Sequence, residues 1–179
     1  MLSQRDRGTL LTIAREAIHA TLNRQPFDPD QYSPSEAIRR HAGAFVTLER
    51  SGQLRGCIGA IHSTDPLHRT VARNAVSAAF RDPRFPPLTR AELDGLEVEI
   101  SVMGPVEPVT DFDSIKVGRD GLIVRDGHRT GLLLPQVAID LGWDRDTFLS
   151  QTCRKAGLSP DCWRSSSCSV EKFSAEVFS

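Results

Sequence analysis

Lysine is nearly absent from this chain, and so are long apolar runs, paired cysteines and net charge. Lysine stands at positions 116, 155 and 172 alone, so arginine supplies the rest of the 22 basic residues. That bias reflects either codon composition or the fit of a rigid guanidinium fork to carboxylates and phosphates. With 23 acidic residues the formal net charge is −1, which removes the global attraction that dominates nonspecific nucleic-acid binding and leaves only a local patch. No stretch of eighteen apolar residues is present, so no membrane span is expected. The opening MLSQRDRG has charge but no apolar h-region, and the expected location is cytoplasmic. The four cysteines, Cys57, Cys153, Cys162 and Cys168, form no CxxC pair and have no zinc-type histidine spacing. Reduced thiols and no metal site are the expectation. Neither an internal repeat nor a low-complexity linker interrupts the 179 residues, a length that suits one domain with a substantial core.

What is present reads as alternating helices and strands. Apolar residues from Gly8 to Leu22 fall at helical spacing. Ser33-Pro34-Ser35-Glu36 has the spacing of a capping box for a short helix ending near Gly43. Ala44, Val46 and Leu48 then alternate with Phe45, Thr47 and Glu49, and Ser51-Gly52 turns the chain into a second strand. Asp65 is placed to cap a helix from Leu67 to Phe80, which Asp82-Pro83 ends. Its alanines allow close approach to a sheet. The proline-rich segment from Arg81 to Leu88 reads as a stiff loop, either a site wall or a connector. Thr89 to Glu92 repeats the capping-box spacing, and Leu96 to Val102 alternates as a strand. Gly104 to Gly118 reads as loop, and an Asp126-Gly127 turn joins two further strands, the second ended by Pro135. Asp144 starts a helix that Gly157 closes, with Cys153 on its apolar stripe. A strand through Phe173, Ala175 and Val177 ends the chain.

The stretch least like ordinary core is Leu54-Arg55-Gly56-Cys57-Ile58-Gly59-Ala60-Ile61. A strand built for stability avoids glycine. Strict alternation puts Arg55, Cys57 and Gly59 on one face, a guanidinium beside a thiol with a notch next to both. A cation beside a thiol supports nucleophilic or redox chemistry. No histidine is in register to act as base, since His62 has the opposite parity, and a small buried hydrophobe is the other reading of Cys57.

Taken in order, LRGCIGAI, AAFRDPRFPPLT, GLIVRDG with GLLLPQVA, and GWD with CRKAGL make the chain resemble the AMMECR1 family from about residue 43 to 178, with LRGCIG at Leu54 to Gly59 as the family's signature. The resemblance implies an α+β fold: antiparallel sheet with packed helices, a larger lobe and a smaller one with a cleft between them near the hexapeptide, all within a single domain over 1–179. Relatives often accompany a Memo-type protein and a radical-SAM protein, which implies those partners and an enzyme or enzyme-accessory role. No settled activity comes with it, and the cofactor is unknown. The candidate catalytic pair is Cys57, as nucleophile or redox thiol, and Arg55, as thiol activator or anion binder. The alternative is a binding or adaptor module in which Gly56, Gly59, Arg69, Arg73, Arg81, Arg84 and Phe85 line a groove for an anionic small molecule, a nucleic acid or a protein partner.

Overall fold

In the computed structural model, which describes residues 1–179, the fold is α+β with antiparallel strands and packed helices, as the resemblance implies. The chain divides into two compact units, Met1–Met103 with Glu176–Ser179, and Gly104–Ala175.

The larger unit is built on three strands in the order β2-β1-β3: β1 (Ala44–Arg50), β2 (Gln53–Ala60) and β3 (Leu96–Pro108). Val46 lies opposite Ile58 and Ile100, and Leu48 opposite Gly56 and Val98. These residues form the apolar face, because cross-strand partners share a side. Helix α3 (Leu67–Phe80) packs on that face, and α1 (Gln4–Leu22) packs on α3. Val71, Ala75 and Ala78 join Leu10, Ala14 and Ile18 in one buried cluster with the strand residues. Each fully buried aliphatic side chain contributes about 1.5–3 kcal/mol. Buried Asn74 of α3 donates to the Ala44 carbonyl at 2.9 Å, fixing the helix along the sheet.

The smaller unit pairs β4 (Asp120–Asp126) with β5 (Arg129–Leu133) across the expected Asp-Gly turn, and with β6 (Ser169–Phe178) on its other side. Its core comprises Leu122, Val124, Phe148, Leu149, Cys153 and Trp163, with Phe112 edge-on to Trp163 at 4.9 Å. Helix α5 (Arg145–Lys155) starts at Asp144, whose carboxylate accepts from the Thr147 N–H, and Gly157 follows it in the left-handed region at φ +71°.

Several expectations are corrected. Helix α1 begins four residues earlier than the apolar spacing suggests, because Ser3 and Asp6 form a capping box. The box expected at Ser33 is absent. Ser33 takes a left-handed φ of 48°, and helix α2 (Glu36–Arg39) starts after Ser35, whose hydroxyl donates to Asp6 at 2.5 Å instead. Helix α3 lacks its Asp65 cap: Pro66 stands at that position and the Asp65 carboxylate pairs with Arg73. The loop read from Gly104 begins as strand, since β3 runs on to Pro108, and Pro135 opens the short helix α4 (Pro135–Asp140). Cys153 and Cys162 are joined in a disulfide, so the expectation of reduced thiols fails for that pair, while Cys57 and Cys168 are free.

Candidate functional site

Cys57 lies near the middle of β2, an edge strand, and its partner across the ladder is Thr47. The Thr47 hydroxyl donates to the Cys57 sulfur at 3.4 Å. The side chain is half-buried and so open to solvent on one side. No neighbouring strand takes up the Cys57 backbone. Its N–H donates to Asp82 Oδ2 at 2.9 Å, and its carbonyl accepts from Arg84 Nη2 at 3.3 Å. The loop after α3 thus covers the strand edge with side chains, one way of protecting an otherwise unpaired edge.

Asp82 organises this loop. Nearly sealed from solvent at 4 % exposure, it accepts from the Arg84 backbone N–H and Nε through Oδ1, and from Cys57 N–H and Arg84 Nη2 through Oδ2. Hydrogen bonds from the Arg84 side chain, and then from the two backbone N–H groups, hold its carboxyl far below the usual carboxylate range against the opposing effect of burial. Asp82 in turn raises the Arg84 guanidinium above its ordinary value.

Arg55 does not fill the role that alternation assigns it. The register slips between Leu48 and Glu49: Leu48 faces Gly56 and Glu49 faces Leu54, so Arg55 is the extra residue of a bulge. Its Nε and Nη2 bind Glu92 at 2.7 and 3.3 Å, and Nη2 also donates to the Pro86 carbonyl at 2.9 Å. Nη1 is buried without a partner. The Glu92 carboxyl is brought down to about 2, first by Arg55 and then by the Thr89 backbone N–H. The guanidinium bonded to the Cys57 residue is that of Arg84.

Phe85 has both guanidinium groups over its ring, Arg55 at 5.8 Å and Arg84 at 5.5 Å from the centroid. These cation–π contacts occupy the ring as a stacking platform. No notch lies beside the glycines. A Cβ on Gly56 would stand 2.2 Å from the Ala78 carbonyl oxygen, and one on Gly59 would stand 2.4 Å from both the Ala44 oxygen and the Phe45 ring. Their missing side chains serve close packing of strand against helix and neighbour.

The remaining arginines lie elsewhere. Arg69, Arg73 and Arg81 border a groove of about 460 Å³ with Ala17, Phe27, Ala72 and Val76, and neither Cys57 nor Arg84 reaches it. Arg69 pairs with Asp30, and Arg73 with Asp65. Asp30 also meets buried His68, whose Nε2 lies 2.7 Å from Oδ1 and whose Nδ1 lies 3.0 Å from the Ile38 carbonyl. Arg81 is exposed and makes no ion pair. No group of three or more His, Cys, Asp and Glu side chains is arranged to hold a metal ion.

The residues brought to Cys57 are therefore Thr47 at the sulfur and Asp82 and Arg84 at the backbone, of which only Arg84 stands out in the sequence. Asp82 had a usable signal: Asp-x-Arg at the end of a helix can turn back on itself. Thr47 had none: counting back from the Ser51-Gly52 turn sets it opposite Gly56, and it is the bulge at Arg55 that brings it opposite Cys57.

A family model described as AMMECR1 matches residues 11–178. A protein of Methanothermobacter thermautotrophicus is 48% identical over 97% of this chain and 94% of its own length. Protein PF1979 of Pyrococcus furiosus is 45% identical over 94% of this chain and 85% of its own. The crystal structure of the uncharacterized protein PH0010 from Pyrococcus horikoshii superposes with a TM-score of 0.87 at 44% identity, over 94% of this chain and 88% of that one. With nearly its whole length matched by the family model, and a solved relative that shares its fold, this chain belongs to the AMMECR1 family.

Proposed function

We propose that Cys57 is the working thiol of an enzyme or enzyme accessory, with Thr47 and Arg84 complementing negative charge at the sulfur and Arg55 positioning the loop that holds Arg84. The observation behind this reading is the hydroxyl donated to the sulfur at 3.4 Å, in a residue whose own backbone is fixed by Asp82 and Arg84. A hydrogen bond to a charged acceptor strengthens as charge develops, so Thr47 favours the attacking thiolate over the resting thiol. Arg84 is half-exposed, and its Nη1 makes none of the loop's hydrogen bonds. It suits a substrate that brings an electrophilic centre together with a carboxylate or phosphate. The Memo-type and radical-SAM partners rest on family resemblance and fit a protein that handles one step of a longer sequence.

The test is alkylation of the native protein near neutral pH, with the modified peptides identified by mass spectrometry. Cys57 is expected to react faster with iodoacetamide than Cys168 does. Thr47→Val should slow it about fivefold, the equivalent of one hydrogen bond of roughly 1 kcal/mol. Anionic iodoacetate should gain on iodoacetamide at Cys57 and lose that gain in Arg84→Met. Equal rates at the two cysteines with no effect of Thr47→Val refute the reading.

A second reading, binding of an anionic small molecule, is favoured at the α1–α3 groove by Arg81. Its charge is uncompensated beside an apolar wall of Phe27, Ala72 and Val76. An anionic amphiphile such as anilinonaphthalene sulfonate should bind there and weaken in Arg81→Gln. Unchanged binding in that variant excludes the groove.

A further inference from the structure

The smaller unit holds three cysteines in one place, and the thiol chemistry proposed for the larger unit uses none of them. Cys153 on α5 has no exposed surface and is joined to Cys162. Cys162 and Cys168 are half-buried, and the Cys168 sulfur approaches the Cys162 sulfur to 3.4 Å. Cys162 thus faces two sulfurs, one bonded and one in contact. Cys168 follows the exposed serines 165–167 and directly precedes β6, while Cys153 lies in the apolar cluster with Phe148, Leu149 and Trp163. Cys162 and Cys168 are thus both partly open to solvent, whereas Cys153 is sealed.

Two facts make the contact more than packing. A free thiol beside a disulfide sulfur is the ground-state arrangement for exchange, which proceeds by thiolate attack on sulfur. The attacked atom is also central, so exchange can pass a bond from one neighbour to the other without moving Cys162 far. We propose that Cys168, Cys162 and Cys153 form a thiol–disulfide relay that takes oxidising equivalents from a small disulfide at the surface and stores them in the Cys153–Cys162 pair.

The steps balance. In the reduced protein the Cys168 thiolate attacks a disulfide RSSR, forming a Cys168–SR bond and releasing RS⁻, which takes a proton. The Cys162 thiolate then attacks the Cys168 sulfur and expels a second RS⁻, giving Cys162–Cys168. Finally the Cys153 thiolate attacks the Cys162 sulfur. The Cys153–Cys162 bond forms, and Cys168 leaves as thiolate, is protonated and is ready again. One RSSR is reduced to two RSH, and two protein thiols become one disulfide. Burial, reinforced by Asp126, raises the Cys168 thiol above its ordinary value. Entry is therefore slow at neutral pH and accelerates as pH rises toward that value, because only the thiolate attacks.

The experiment starts from fully reduced protein, adds oxidised glutathione, quenches at intervals by acid and alkylation, and maps the linked peptides. A glutathione adduct on Cys168 should appear first, then Cys162–Cys168, then Cys153–Cys162. Cys153→Ser should stop at Cys162–Cys168, and Cys162→Ser at the Cys168 adduct. Cys168→Ser should slow formation of Cys153–Cys162 by about tenfold or more, since the entry thiol is lost. The Cys168 variant changes a half-buried residue near the surface, so its fold can be checked by melting before the rate is read. Wild-type kinetics in Cys168→Ser, or no Cys162–Cys168 species in Cys153→Ser, overturns the relay. Cys57 peptides are read separately in the same digest, so failure here leaves the Cys57 reading untouched.

Discussion

Asp82→Asn tests whether one carboxylate holds the loop to the strand edge. Each oxygen of Asp82 accepts two hydrogen bonds: Oδ1 from Arg84 N–H and Nε at 3.1 and 3.0 Å, and Oδ2 from Cys57 N–H and Arg84 Nη2 at 2.9 and 2.7 Å. An asparagine has the same shape but must turn an NH₂ group toward one of those pairs. Either orientation sets two donors against each other. The backbone bond lost this way, made to a charged acceptor in a buried site, is worth about 1.5–3 kcal/mol. The guanidinium is 53% exposed, so solvent screening limits its share to about 1 kcal/mol or less. The expected destabilisation is about 3 kcal/mol, a fall in Tm of roughly 6–12 °C for a chain of this length.

The pH dependence gives a second readout. Because the folded state holds the Asp82 carboxyl below its unfolded value, the unfolded chain binds the proton more readily. The contribution is therefore fully present above about pH 4 and is lost as acid titrates toward the folded value. Thermal melts of wild type and Asp82→Asn at pH 7, 5 and 3 should differ most at pH 7 and converge in acid. Asp161→Asn, at an exposed carboxylate that makes no cap, serves as control and should stay within about 0.5 kcal/mol. If Asp82→Asn melts like that control at pH 7, the loop is not held by this carboxylate.

Glu92→Gln should cost about 2 kcal/mol at pH 7 through the loss of its charge-assisted bonds to half-buried Arg55. Its folded carboxyl lies at about 2, so urea titrations should show this difference intact above pH 5 and shrinking as pH falls toward 2; a difference that grows in acid has the wrong sign. Gly56→Ala should cost about 3 kcal/mol or prevent folding, since its Cβ would meet the Ala78 carbonyl oxygen at 2.2 Å and backbone must move. Gly8→Ala, on helix α1 with no atom within 4 Å of the new methyl, should instead stabilise by about 0.5–1 kcal/mol in the same melts; equal effects of the two substitutions would refute the packing account of Gly56.

Features set by local chemistry were legible in the sequence. The Ser51-Gly52 and Asp126-Gly127 turns, the alternation of β3 and the Asp144 cap depend on neighbours a few residues away, and the chain folds as they indicate. Errors arise where a distant partner outbids the local one. Ser35 donates to Asp6, twenty-nine residues away, and Asp65 leaves its helix end for Arg73. The site shows the same division. Cys57 is reached by counting, but Arg55 is displaced because alternation assumes an unbroken ladder and the ladder slips at Arg55 itself. The expected set of binding arginines also splits in two. Arg69 and Arg73 share a helix face that looks toward α1, whereas Arg84 folds back to the strand edge with Asp82.

That division decides which substitution tests the thiol. Asp82, Arg84, Glu92 and Arg55 all hold the loop, so changing any of them alters both the strand edge and whatever the sulfur meets; lost reactivity in those variants would follow from a loosened edge as readily as from a lost charge. Thr47 is different. Its hydroxyl reaches the sulfur from the neighbouring strand and makes no hydrogen bond to the loop, and valine keeps its shape and its fitness for a strand. A slower Cys57 in Thr47→Val with an unchanged melting temperature would isolate charge complementarity at sulfur from integrity of the edge. An unchanged rate would mean that the 3.4 Å contact is packing, and Cys57 would then be explained as a small residue under a loop.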